Sequence, residues 1–115
     1  NKMSIIQTEV GYLTKILQAL TNEKNAISKQ TLTVTTAAQG LTIPSEAKSA
    51  LIQVESTVTD YAIRYWEDGS IPTSSVGWFQ GSTAVFEITT SENLRNFKVI
   101  QGTSGTTQLN ITYYK

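Results

Sequence analysis

Near its start the chain carries apolar side chains at Met3, Ile6, Val10, Leu13, Leu17, Leu20 and Ile27, with Lys24 as the one polar interruption. The steps along this series run 3, 4, 3, 4, 3, 4, 3. Alternating steps of three and four residues describe the a/d seam of a heptad repeat, the pattern that lets helices from several chains bury a shared stripe. The segment contains no proline, and Gly11 falls at a b position, where it costs about 1 kcal/mol of helix propensity but no packing. A helix over residues 3–28 would be about 40 Å long at ~1.5 Å per residue.

The alternative is an amphipathic helix lying on a β-domain of its own chain, but such a helix needs a wider apolar stripe than a and d alone. The e positions here are Gln7, Thr14, Thr21 and Ser28, and the g positions are Glu9, Ile16 and Glu23, so only Ile16 widens the seam. Few charges at e and g argue against a charge-specified dimer, and the added Ile16 favours three strands. Lys24 is expected to loosen the coil where the chains diverge.

Beyond residue 30 the period changes from helical to alternating. Leu32 and Val34 alternate with Thr31, Thr33 and Thr35, the signature of a half-buried strand. Leu41-Thr42-Ile43 reads as extended, and Pro44-Ser45-Glu46-Ala47 as a turn. Strands are predicted over residues 50–55 and 60–66, with Tyr61, Ile63 and Tyr65 on one face of the second and Ala62, Arg64 and Trp66 on the other. Glu67-Asp68-Gly69-Ser70 is a tight turn, because Asp-Gly tolerates the left-handed conformation.

Pro72 keeps residues 71–75 out of a central ladder. Short strands are then predicted over 76–79, 84–89, 97–101 and 109–114, with residues 92–96 a loop or single helical turn that brings Leu94 inward. Short strands with turns every ~8–12 residues imply an antiparallel β-sandwich or jelly-roll-like domain. The expected organisation is mainly β: an oligomerising N-terminal α-helical coiled coil over residues 1–29, then a small β-sandwich over 30–115. A β-unit of this size buries a modest core, and association of chains would add burial.

Several functions are disfavoured by what the chain lacks. Cysteine and histidine are both absent. No disulfide, thiolate zinc site or Ser-His-Asp triad is therefore available within one chain. Nine basic residues balance nine acidic ones, Arg64 and Arg95 are the only arginines, and the lysines are dispersed. A nucleic-acid partner is not expected, since phosphate neutralisation needs a basic stripe. No apolar run approaches the ~20 residues that span a bilayer, and no secretory leader pattern is visible. The opening Asn1-Lys2-Met3 reads either as a piece of a longer protein or as added residues ahead of Met3.

A set of short elements occurs in a fixed order. Ile43-Pro44 precedes Ala47-Lys48-Ser49-Ala50-Leu51-Ile52-Gln53-Val54-Glu55. Ile63-Arg64-Tyr65 leads to Asp68-Gly69-Ser70-Ile71-Pro72-Thr73-Ser74-Ser75-Val76-Gly77. Phe86-Glu87-Ile88, Leu94-Arg95-Asn96-Phe97-Lys98-Val99-Ile100 and Leu109-Asn110-Ile111-Thr112-Tyr113-Tyr114 follow. In this order they resemble a family of bacteriophage virion proteins, over about two thirds of the chain. The resemblance implies a β-sandwich of a head-fibre, decoration or tail-associated protein, often trimeric, located in the virion after assembly in the host cytoplasm, with other virion proteins as partners. It brings no catalytic residue, and the heptad segment lies outside it.

Candidate chemistry is sparse. Glu67-Asp68-Gly69 offers oxygen ligands, but the spacing of a calcium loop is absent and a solvated turn is the simpler reading. Glu55, Asp60, Glu67, Asp68 and Glu87 supply carboxylates, yet no spacing selects a pair facing across a cleft, as glycoside hydrolysis needs. No metal, cofactor or catalytic residue is therefore expected, and the chain reads as non-enzymatic. Trp66, Trp78 and Phe79 are candidate ligand or interface aromatics. Trp78 and Phe79 are adjacent and point to opposite faces of a strand, so at least one is expected at a surface or inter-chain contact. Two functions follow: a trimeric structural component of a virion, and a module recognising a host-surface glycan.

Overall fold

The computed structural model describes residues 24–115. The heptad positions Met3, Ile6, Val10, Leu13, Leu17 and Leu20 lie outside the described residues. The described chain is mainly β, with seven strands: β1 (Ala26–Thr33), β2 (Ser49–Ser56), β3 (Ile63–Trp66), β4 (Trp78–Gln80), β5 (Val85–Ile88), β6 (Lys98–Gln101) and β7 (Thr107–Tyr114). One short helix, α1 (Ser91–Asn96), joins β5 to β6. The strands form two antiparallel sheets, four-stranded in the order β1-β7-β2-β5 and three-stranded in the order β4-β3-β6.

Alternation dictates which faces meet. Along β7, Thr107, Leu109, Ile111 and Tyr113 are buried and the residues between them are half-buried. Ala50, Ile52 and Val54 of β2 point the same way, while Leu51 faces out. The second sheet contributes Ile63, Tyr65 and Val99 to the same core. Tyr65 stacks on Phe86 of the other sheet with ring centroids 4.8 Å apart, and Phe97 tilts against both rings. The architecture is sandwich-like, as the alternating pattern requires, because each sheet has one apolar face to hide.

The single helical turn at residues 91–96 is present. The Thr90 hydroxyl accepts a 3.0 Å bond from the Asn93 backbone N–H, satisfying one of the free donors of the first turn, and Leu94 is fully buried. Pro44 accepts from the Ala47 N–H at 3.1 Å, so the expected turn there is also present. Leu41 and Ile43 pack against the core without joining a sheet, and Gln39 makes the bridge to Val99 instead.

The start of the β-region differs from expectation. The first strand begins at Ala26, ahead of the expected boundary between residues 29 and 30, so Ile27 and Ser28 are strand rather than the last turn of a helix. Ile27 sits where the β1–β7 register shifts between Ala26 and Ser28, and is partly buried against the core. The physical reason is the length of β7: its outer edge offers backbone donors and acceptors as far as Tyr114, and pairing them outweighs a helical turn at Ile27 and Ser28. Asn25 and Lys115 extend the pairing, and Lys24 forms an ion pair with Glu87 of β5.

Candidate functional site

The three-stranded sheet turns one face to the core and the other outward. Arg64 lies at the centre of the outward face, on the middle strand, with Phe79 of β4 and Ile100 of β6 as its cross-strand neighbours. Phe79 is 51% exposed. Tyr61, 44% exposed, meets it edge-on with centroids 4.5 Å apart. The Arg64 Cζ lies 5.1 Å from each ring centroid, within range of a cation–π contact to both.

Backbone contacts hold this cluster in place. The Tyr61 carbonyl accepts from the Thr103 N–H at 2.7 Å, tying it to the turn between β6 and β7. Arg64 Nη1 donates to the Gly77 carbonyl at 2.9 Å. Gly77 has φ of +135°, and a Cβ there would lie 3.3 Å from the backbone N and O of Tyr65 and from Pro72. Only glycine holds that carbonyl towards Arg64 without strain. Arg64 Nε is buried without a hydrogen-bond partner, and the ion pairs among the described residues do not involve Arg64.

The three aromatics singled out in the sequence are not one platform. Trp66 shares the outward face with Arg64, across from Lys98, and is half-buried. Trp78 pairs with Tyr65, on the opposite side from Phe79, yet is 66% exposed because β4 is an edge strand. Adjacent residues do point to opposite sides, and both are exposed. Among the described residues neither tryptophan joins a ring pair.

The predicted faces around Tyr61 need correction. Regular pairing begins at Ile63, so Tyr61 escapes the alternation and reaches Arg64, while Ala62 is fully buried instead of facing out. Arg64 itself was legible only as an outward residue next to Trp66. The signal that marks it is a lone arginine in an aromatic-rich strand, and its ring neighbours depend on register.

The acidic residues take local roles. The Ser70 backbone N–H bonds the Asp68 carboxylate at 3.0 Å and holds it below the ordinary carboxylate range, the arrangement of a closed turn. Glu67 accepts from Asn93, and Glu55 from Asn110. Among the described residues no three acidic side chains gather as a metal-ligand set. A cleft of about 550 Å³ lies beside Pro44, Lys48, Arg95 and Lys115. Its cations are largely spoken for: Lys115 bonds Glu46, whose carboxyl is lowered by that hydrogen bond and charge, and Arg95 pairs with Glu92.

Comparison with protein-family models, with curated proteins and with solved structures gives no match.

Proposed function

We propose that this chain is a non-enzymatic structural module of a bacteriophage virion, of the head-fibre or decoration kind. In this reading it assembles as a trimer through the heptad seam at Met3, Ile6, Val10, Leu13, Leu17 and Leu20, and carries the β-sandwich outward. The observation that carries the reading is a separation of ends. The heptad segment leads into the sandwich where Asn25 pairs with Lys115, just past the last residue of β7. Tyr61 is tied to the turn that precedes the first residue of β7. The eight residues of β7 therefore separate the attachment from the exposed aromatic cluster, by about 25 Å at ~3.3 Å per residue. Attachment at one end and an exposed apolar cluster towards the other suits a module that is anchored and presented.

The test is the absolute mass of the full chain in solution by light scattering, beside the double variant Leu13→Asn/Leu17→Asn. A trimer that dissociates in the variant supports the reading. An unchanged mass, or a monomeric parent chain, removes the coiled-coil assembly from it.

A second reading, a module that binds a host-surface glycan, is favoured by one observation: Tyr61, Phe79 and Trp78 keep between 44% and 66% of their surface exposed on and beside one sheet. Sugar rings stack their apolar C–H faces on exposed aromatic rings of this kind. A fibre tip can serve both purposes.

A further inference from the structure

The geometry points to Arg64 as the recognition residue for an acidic sugar, a pyranose bearing a carboxylate. The inference rests on the glycan-binding reading and names the class of sugar within it.

A guanidinium presents its donors in planar forks, one formed by the two terminal nitrogens and another by Nε with Nη2. In Arg64 the Nη1 side is occupied by the Gly77 carbonyl. Nε has no partner, and no hydrogen bond from Nη2 is made within the described residues. The Nε–Nη2 fork is thus the unoccupied one, and its geometry fits the two oxygens of a single carboxylate. A buried donor without a partner is destabilising, so an acceptor that reaches this fork gains a bond that the described residues do not themselves supply.

The surroundings select the class. Arg64 takes part in no ion pair among the described residues, so its charge is not already compensated. It is one cation on its row, flanked by Phe79 and Ile100, and the next basic residue of the face, Lys98, lies across from Trp66. A single guanidinium balances the single charge of a carboxylate, whereas a phosphate monoester carries about −1.5 to −2 at pH 7 and would be only partly compensated. Tyr61 and Phe79, about half exposed and in contact with the guanidinium, supply apolar surface for the sugar ring beside its acid group. Nε is covered in the unliganded protein, so a carboxylate reaches this fork only if the side chains around Arg64 move aside.

The experiment is titration calorimetry of the full chain with oligosaccharides ending in glucuronic, galacturonic or N-acetylneuraminic acid. The same oligosaccharides with their carboxyls reduced to alcohols form the comparison. The expected result is that at least one acidic sugar binds about tenfold tighter than its reduced form, the worth of one charged, bidentate contact. Arg64→Gln is expected to abolish that preference, and so is Arg64→Lys, which keeps the charge but lacks the fork. Phe79→Ala, at an exposed position, is expected to weaken acidic and reduced forms alike, and gives a readout if the Arg64 variants do not fold. Equal binding of acidic and reduced forms overturns the acidic-sugar assignment and leaves glycan binding standing. No binding to either set, with neutral oligosaccharides also silent, overturns both.

Discussion

Asn25 and Lys115 exchange both of their backbone hydrogen bonds, at 3.3 and 3.1 Å, and so close the β1–β7 ladder at the point where the heptad segment joins the sandwich. Residues 24 and 25 are therefore tied to the four-stranded sheet. A piece starting at Lys24 is expected to unfold with the same midpoint as the intact β-domain. A piece starting at Lys29 loses this bond pair and the partly buried Ile27, at a cost of about 2 kcal/mol. Denaturant melts of the two pieces check this, and equal midpoints would show that the first residues of β1 add nothing.

The stack of Tyr65 on Phe86, at 4.8 Å and 11° between ring planes, is a direct side-chain tie between the two sheets. Phe86→Ala is expected to destabilise the domain by about 2–3 kcal/mol, somewhat less than for a fully buried phenylalanine because Phe86 is only partly buried. Phe86→Leu should recover part of that loss. Chemical denaturation measures both.

Gly77 is expected to resist substitution. Its φ of +135° and the 3.3 Å approach to the Tyr65 backbone both penalise a side chain. Gly77→Ala should cost about 1–3 kcal/mol and displace the carbonyl that anchors Arg64. Gly69→Ala, whose nearest contact would be 3.9 Å away, meets backbone strain alone and should cost less. Thermal melts of the two variants settle the order.

Tyr113 gives the domain an alkaline limit. Burial pushes its hydroxyl up from 10.0 to about 12, and that hydroxyl donates to the Gln30 side chain. Burial raises Tyr65 as well. The unfolded chain gives up these protons first. Stability from this source is therefore complete below about pH 10 and is lost as pH rises towards about 12. Tyr113→Phe is expected to cost about 1 kcal/mol at neutral pH through the lost bond to Gln30. It should also flatten the decline above pH 10, which denaturation midpoints across the alkaline range will reveal.

What the sequence determined by itself is the local grammar. Strict alternation at Leu109, Ile111 and Tyr113 names the inward face of β7, Asp68-Gly69 fixes a turn, and Leu94 is apolar where a helical turn must point into the core. These follow from chain geometry over a few residues, so they are readable without the rest of the molecule.

What only the tertiary structure decided is what non-local pairing sets. Ile27 fits a helical seam and a strand equally well by spacing, and the unpaired edge of β7 chooses the strand. Trp78 and Phe79 are both exposed because β4 is an edge, and edge position depends on the order of strands across the sheet. Above all, Tyr61, Arg64 and Phe79 meet only because Arg64 falls opposite Phe79 in one register and regular pairing begins two residues after Tyr61. A one-residue slip would turn Arg64 to the core, so the site exists only once both neighbouring strands have taken their register.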